Sequence, residues 1–123
     1  DQRRYPWGND WDDLRSNFEE LGLLDTSPVG LFLGGGSPYG VLDMAGNTWE
    51  WCQSQFSPYP YDYADGRETL TGDGFRALRG GPFDFDRWRI RCSFRDRARP
   101  GARAANVGFR VVLLNDIRLE SNR

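Results

Sequence analysis

Two carboxylates, Asp43 and Glu50, flank a turn that contains Gly46 in the stretch DMAGNTWE. Side-chain and backbone oxygens in such a turn can converge on a hard cation, and calcium accepts several oxygens in flexible geometry. The pattern therefore predicts a structural calcium site. The alternative is that the two carboxylates simply accept hydrogen bonds from backbone N–H groups.

Arginine is concentrated in one part of the chain. Between Arg76 and Arg110 there are ten Arg and three Asp, a local charge of +7 in a chain of net charge −2. The planar guanidinium suits paired or stacked sites better than lysine does. We keep two explanations open: internal ion pairs with Asp84, Asp86, Asp96 and the acidic N-terminal region, or a recognition surface. Nucleic acid is not an expected partner, because the acidic regions elsewhere can neutralise these arginines.

The composition excludes several kinds of chemistry. With 0 His, this chain supplies no Ser-His-Asp triad, Cys-His pair or histidine-ligated iron. The 2 Cys, Cys52 and Cys92, make neither a disulfide framework nor a C-x-x-C motif, so free thiols or one disulfide remain. No apolar run approaches membrane-spanning length. We therefore expect a soluble chain without a membrane partner, and favour the cytoplasm.

The elements that must position these residues are short. Asp12 or Asp13 is predicted to cap a helix that presents Leu14, Phe18 and Leu21 and stops at Gly22. Trp49 and Trp51 should share one face of an extended segment. Residues 54–74 are predicted to form a long surface excursion, and residues 75–81 and 107–114 are predicted to form strands.

Residues 87–95 alternate between apolar and basic side chains. The apolar set, Trp88, Ile90, Cys92 and Phe94, should then point towards the core, with the arginines pointing away. Phe83 and Phe85 have the opposite parity. A bulge or turn is therefore predicted at Asp86 and Arg87.

Four stretches, YPWGNDWD, SPYGVLDMAGNTWEWC, RALRGG and NVGFRVVL, resemble the formylglycine-generating enzyme family, or sulfatase-modifying-factor domain. The resemblance implies an α+β, C-type-lectin-like fold with much irregular loop. Family members normally carry a segment like R-L-P-T-E-x-E-W-E before Y-P-W-G, which is missing here. Residues 1–123 are thus expected to be the C-terminal portion of a single domain, completed by an upstream part in the same or a separate chain.

The resemblance also implies metal ligands. The family has a calcium site whose matching positions are the side chains of Asp43 and Glu50 and the carbonyls of Gly46 and Thr48. A second family site would draw on Asn17 and the Phe18 carbonyl. The copper enzymes carry two cysteines shortly after R-G-G-S, whereas this chain reads Arg79-Gly80-Gly81-Pro82 with no Cys before Cys92. Copper is therefore not an expected cofactor.

Retroelement-diversified proteins of the same fold place their binding residues between R-G-G and G-F-R. This layout predicts a non-catalytic binding module, whose surface between Arg79 and Gly108 binds a protein or other macromolecule through residues 82–105. The alternative is a formylglycine-generating-type oxidoreductase acting on a cysteine of a sulfatase or related protein. For Trp88 and Phe94 this prediction conflicts with the alternation described above. The predicted surface residues are Phe85, Trp88, Phe94, Asp96, Ala98, Gly101, Ala104 and Ala105.

Overall fold

A four-stranded mixed sheet organises the chain in a computed structural model that describes residues 2–113. The strands are β1 (Trp49–Gln55), β2 (Arg76–Arg79), β3 (Asp96–Ala98) and β4 (Val107–Gly108), in the spatial order β3-β2-β1-β4. The β1–β2 and β2–β3 pairs are antiparallel, whereas β4 is parallel to β1. The ladder between β1 and β2 is irregular between Trp51 and Gln55, where a bulge interrupts it.

The strands follow the aromatic and aliphatic residues of the sequence. The predicted segment Trp49-Trp51 lies in β1, and residues 75–81 contain β2, whose Ala77 and Leu78 are buried. Of the described residues 107–113 in the predicted strand 107–114, only Val107 and Gly108 pair, so that strand is shorter than expected. The apolar residues that follow from Phe109 to Leu113 are exposed, and Leu114 lies outside the described residues.

The predicted helix after Asp12 is wrong, although both of its boundaries are confirmed. Asp12 accepts the Leu14 N–H at 3.0 Å, and Gly22, with φ of 78°, ends the segment. Two 3₁₀ helices, Asp13–Arg15 and Glu19–Leu21, replace one α-helix. They are interrupted because Ser16 is extended and buried, and its hydroxyl donates to the Ala45 carbonyl at 2.6 Å.

A small aromatic core holds the loops together. Tyr5, Phe18, Ala45 and Ile90 are buried, and Trp7, Trp11 and Leu21 pack against them. The Phe18 ring meets the Trp11 ring edge-on at 4.7 Å between centroids. Rings in this geometry add to the free energy of burial.

Residues 87–93 form turns, and the expected alternation therefore fails in part. Asp86 accepts the N–H groups of Trp88 and Arg89 at 2.9 and 3.0 Å, which confirms the predicted turn. Ile90 is buried as expected, but Trp88 is 50% exposed and Cys92 is also exposed. Side chains do not alternate between two faces in a chain of turns.

The remaining 3₁₀ helices are Leu33–Gly35 and Tyr63–Asp65, the second of which lies in the predicted excursion. Most of residues 54–74 are exposed or half-buried, while Arg67 is buried. In residues 2–113 no helix has the length and apolar character needed to cross a membrane.

Candidate ligand-binding surface

The sheet separates its side chains onto two faces. Directly paired residues share a face, and neighbours along a strand point to opposite faces. Trp51 pairs with Leu78, and Leu78 pairs with Asp96, so these residues and Trp49 and Ala98 lie on what we call the front face. Glu50 pairs with Arg79, and these two lie with Arg97 on the back face.

Two of the predicted surface residues lie together on Trp49. Phe85 meets the Trp49 ring edge-on at 5.5 Å, and Phe94 stacks on it at 6.0 Å with 25° between the planes. Both phenylalanines are half-buried, whereas Trp49 is buried. The two rings cover the Trp49 side chain and leave part of their own surface to solvent.

Beside this aromatic group, a cleft of about 380 Å³ opens between Trp51 and the loop that precedes β4. Gly101, Ala104 and Val107 line it, and Ala105 follows as an exposed neighbour. The loop is held by hydrogen bonds from Ala102 N to Arg99 O at 2.8 Å and from Val107 N to Ala104 O at 3.3 Å. The small side chains of this loop leave the Trp51 ring accessible.

Trp88 lies apart from this group, in the turn that follows Asp86. The turn is fixed to the N-terminal segment, because the Tyr5 hydroxyl donates to the Arg87 carbonyl at 3.2 Å and Cys92 N donates to the Arg4 carbonyl at 2.8 Å. Arg87 lies over the Trp88 ring at 5.1 Å. The structure thus brings seven of the eight predicted residues to the front face or its bordering loop, and leaves Trp88 outside the cleft lining.

Internal ion pairing accounts for only part of the basic stretch. Among the described residues, its ten arginines form two ion pairs, Arg110 with Glu50 and Arg89 with Asp86, the latter at 3.9 Å. Asp84 accepts instead from the Asn106 amide, and Asp96 accepts from the Arg97 N–H. Most of the other arginines donate to backbone carbonyls or lie over aromatic rings.

Three arginines form a continuous stack with aromatic rings that sequence reasoning missed. Their guanidinium carbons lie 4.1–5.2 Å from the ring centroids. Arg95 lies over Tyr59 and Phe56, Arg97 over Phe56 and Phe75, and Arg99 over Phe75. We call these six side chains the arginine–aromatic ladder. The alternation of 95, 97 and 99 was visible in the sequence, but the rings come from the distant excursion and from Phe75, which follows it.

The predicted calcium motif is held by protein donors. Arg110 binds the Glu50 carboxylate through Nε, at 2.6 Å, and Nη2, and donates to the Asp43 carbonyl at 2.7 Å. Asp43 Oδ2 accepts from Gly30 N at 2.7 Å, and the Gly46 carbonyl accepts from Thr48 N at 2.9 Å. In this arrangement a guanidinium already neutralises Glu50, and one oxygen each of Asp43 and Gly46 already accepts a hydrogen bond.

Asn17 offers a different observation. Its Oδ1 is buried and has no hydrogen-bond partner among the described residues, while its Nδ2 donates to the Asp25 carbonyl at 2.8 Å. A buried oxygen without a partner costs free energy that a bound cation could recover. This unpartnered oxygen fits the second calcium site that the family resemblance implies, which would draw on Asn17 and the Phe18 carbonyl.

The two cysteines are free thiols. Burial raises the pKa of the half-buried Cys52 thiol, and partial desolvation raises that of Cys92 although the residue is exposed; the charge of Arg79 opposes the first shift, and those of Arg3 and Arg79 oppose the second. Copper(I) prefers a pair of soft thiolates, and its binding displaces the thiol protons. In the described residues no group of three or more His, Cys, Asp or Glu side chains could hold a metal ion.

Comparison with known proteins places the chain in a family. A family model described as the sulfatase-modifying factor enzyme 1-like domain matches residues 1–114. The chain belongs to this family. The formylglycine-generating enzyme of Streptomyces coelicolor is 34% identical over 138 residues, which cover 97% of this chain and 42% of that protein. The serine/threonine-protein kinase pkn1 of Chlamydia caviae is 37% identical over 116 residues, which cover 89% of this chain and 18% of that protein.

A solved structure confirms the fold. Treponema denticola variable protein 1 matches with a TM-score of 0.63 at 24% identity, over 77% of this chain and 34% of that one. The protein thus has the α+β, C-type-lectin-like fold that the motifs implied, with short helices and much irregular loop. The chain spans less than half the length of the relatives compared here.

Proposed function

We propose that this domain is a non-catalytic recognition module that binds a protein or other macromolecule through the surface between Arg79 and Gly108. The observation that carries the proposal is the front-face cleft, where Trp51 is flanked by Gly101 and Ala104 beside the half-buried Phe85 and Phe94. Rigid aromatic rings next to a shallow space are typical of binding hot spots. The likeness to a variable protein supports the same reading.

Selection of binders tests this proposal. Random peptides displayed on phage are selected on the full-length protein and then assayed against Ala104→Trp, which fills the cleft. The matched control is Leu70→Ser, a change at an exposed apolar position in the excursion. We expect most clones to lose binding to the first variant and to keep it for the second. Equal binding to both variants would contradict the proposal.

Diversification of this surface is a further part of the proposal. A retroelement would leave a near-identical template downstream of the gene that differs mainly at adenines. The changed codons should fall at front-face positions such as Asp96, Ala98 and Ala104, while those for Arg79 and Arg110 stay constant. Sequencing the genomic neighbourhood checks this expectation. If no such template is found, the domain is a binding module with a fixed rather than a variable surface.

The alternative function is a formylglycine-generating-type oxidoreductase, favoured by the 34% identity to such an enzyme. A cavity of about 570 Å³ beside Arg79 and Gly80 contains Cys92 and could admit a peptide thiol. Copper(I) requires a pair of thiolates, whereas Cys92 is the one cysteine among the described residues that line this cavity. Copper-dependent oxygen consumption with a cysteine peptide would establish the enzyme, and we expect none.

We also propose calcium as a structural ion of this domain, bound through Asp43, Gly46, Thr48 and Glu50 or through Asn17. The oxygen chemistry of both sets supports it. At the first set, calcium has to displace the Arg110 guanidinium from Glu50. At the second set, the unpartnered Asn17 Oδ1 is available.

A further inference from the structure

The arginine–aromatic ladder lies on the opposite side of the sheet from the front-face cleft. Arg97 pairs with Ala77 on the back face, whereas its neighbours Asp96 and Ala98 lie on the front face. Arg95 and Arg99 share the parity of Arg97. Any ligand of the ladder is therefore distinct from a ligand of the front-face cleft.

Within residues 2–113, the ladder holds three positive charges without an ion-pair partner. None of its guanidinium groups forms an ion pair with a carboxylate in residues 2–113. Two carboxylates of the excursion are engaged elsewhere, since Asp65 binds Arg67 and Glu68 accepts from the Ser54 and Tyr61 hydroxyls. Stacking on rings holds a guanidinium group in place without using its N–H edge, which can still donate hydrogen bonds.

Arg97 is the central arginine of the ladder, and its guanidinium group makes fewer hydrogen bonds than those of Arg95 and Arg99. Arg95 donates to the Ser57 carbonyl at 2.9 Å and Arg99 to the Asp73 carbonyl at 3.3 Å. The Arg97 guanidinium is exposed and donates no side-chain hydrogen bond within the described part of the chain. It is thus positioned between Phe56 and Phe75 with its donors available for a bidentate carboxylate or phosphate.

The aromatic rings of the ladder bear on whether its anionic ligand is a nucleic acid or an acidic protein segment. Single-stranded nucleic acids gain much of their affinity by stacking bases on free aromatic faces. Here Phe56 and Phe75 are each contacted by two guanidinium groups, and Tyr59 by one. A base would therefore have to compete with guanidinium groups for these rings, although Tyr59 is 56% and Phe75 40% exposed. Carboxylates need only the guanidinium edges, so the arrangement favours an acidic protein segment.

The ligand's conformation follows from the spacing. Side chains two residues apart on a strand are separated by about 6.8 Å. An extended segment presents its own alternate side chains at the same interval. The edge of β3 is not open to strand addition at Arg97, because the Asp96 carboxylate accepts the Arg97 N–H at 2.7 Å. Recognition therefore depends on side chains.

We propose that the arginine–aromatic ladder binds an acidic protein segment in extended conformation, with carboxylates at alternate positions. The probe is a fluorescent seven-residue peptide with Glu at positions two, four and six and Ser between them, measured by anisotropy against the full-length protein. A peptide with Gln in place of Glu and an oligothymidylate of equal charge serve for comparison. We expect binding of the Glu peptide only, weakening with salt.

Two variants locate the site. Arg97→Ala should lower affinity for the Glu peptide at least tenfold, whereas Arg87→Ala removes an equally exposed arginine outside the ladder and should change it less than twofold. Equal losses in both variants, or no binding of the Glu peptide, would overturn the proposal. Tighter, Arg97-dependent binding of the oligothymidylate would assign the ladder to nucleic acid instead. Ala104→Trp should leave peptide binding unchanged, which separates this test from that of the front face.

Discussion

Arg110 and Glu50, 60 positions apart in the sequence, form a two-pronged ion pair in which Arg110 Nε lies 2.6 Å from Glu50 Oε2. The same guanidinium donates to the carbonyls of Leu42 and Asp43 at 3.0 and 2.7 Å. Hydrogen bonding to Glu50 raises the pKa of Arg110 further above its usual range. Arg110 thus joins the chain after β4 to β1 and to the turn before it.

Arg110→Gln should destabilise the protein by about 2 kcal/mol, because it leaves the half-buried Glu50 carboxylate without its charged partner. Urea unfolding of the variant measures this loss. The control is Arg89→Gln, whose pair with Asp86 is long and exposed and should contribute less than about 0.5 kcal/mol. Equal stability of the two variants would show that the Arg110 contacts contribute little.

Gly46→Ala should cost more than about 3 kcal/mol. A Cβ at this position would lie 2.1 Å from Ser16 Oγ and 2.2 Å from the Asn17 carbonyl oxygen, and φ is +80°. Gly22→Ala is the matched control, since its φ is +78° but nothing lies within 4 Å of the added Cβ. That change should cost only the backbone strain, about 1 kcal/mol. Thermal unfolding of both variants separates the clash from the strain.

Short sequence patterns correctly predicted caps and turns, which depend on neighbouring residues. They did not predict contacts between residues that are distant in the sequence. The Asp12 cap, the Gly22 stop and the turn at Asp86 each depend on neighbouring residues, and all three are present. The α-helix between Asp12 and Gly22 was wrong because Ser16 bonds to Ala45, 29 positions away. Helical spacing in one segment does not report such a contact.

The same limit applies to the candidate site. The front-face positions came from the likeness to a family, whereas alternation alone had placed Trp88 in the core, where it does not lie. The ladder requires Arg95 and Arg97 to meet Phe56, about 40 positions earlier. The fold, not the pattern of any one segment, makes that contact.

The Asp65–Arg67 pair should make stability depend on acid pH. Hydrogen bonds from the Arg67 side chain, and then from its backbone N–H, lower the pKa of Asp65. A depressed carboxyl pKa contributes stability above the unfolded value of about 3.9, and the contribution is lost as pH falls through the folded value. Melting temperatures measured from about pH 5 to pH 2 should therefore fall less steeply in Asp65→Asn than in the wild type. Arg67→Gln should flatten the same part of the profile, and a wild-type slope in both variants would contradict this account.

Calcium should raise the melting temperature of the protein relative to a chelated sample, because an ion that binds only the folded state stabilises it. At a concentration of 100 times Kd the gain is about 2.7 kcal/mol. Two variants separate the candidate oxygen sets. Arg110→Gln frees Glu50 and should enlarge the calcium-dependent rise if the ion binds the motif around Gly46. Asn17→Ala removes the buried unpartnered oxygen and should diminish the rise if the ion binds there. Identical melting with calcium and with chelator in the wild type and in Arg110→Gln would show that neither set binds the ion.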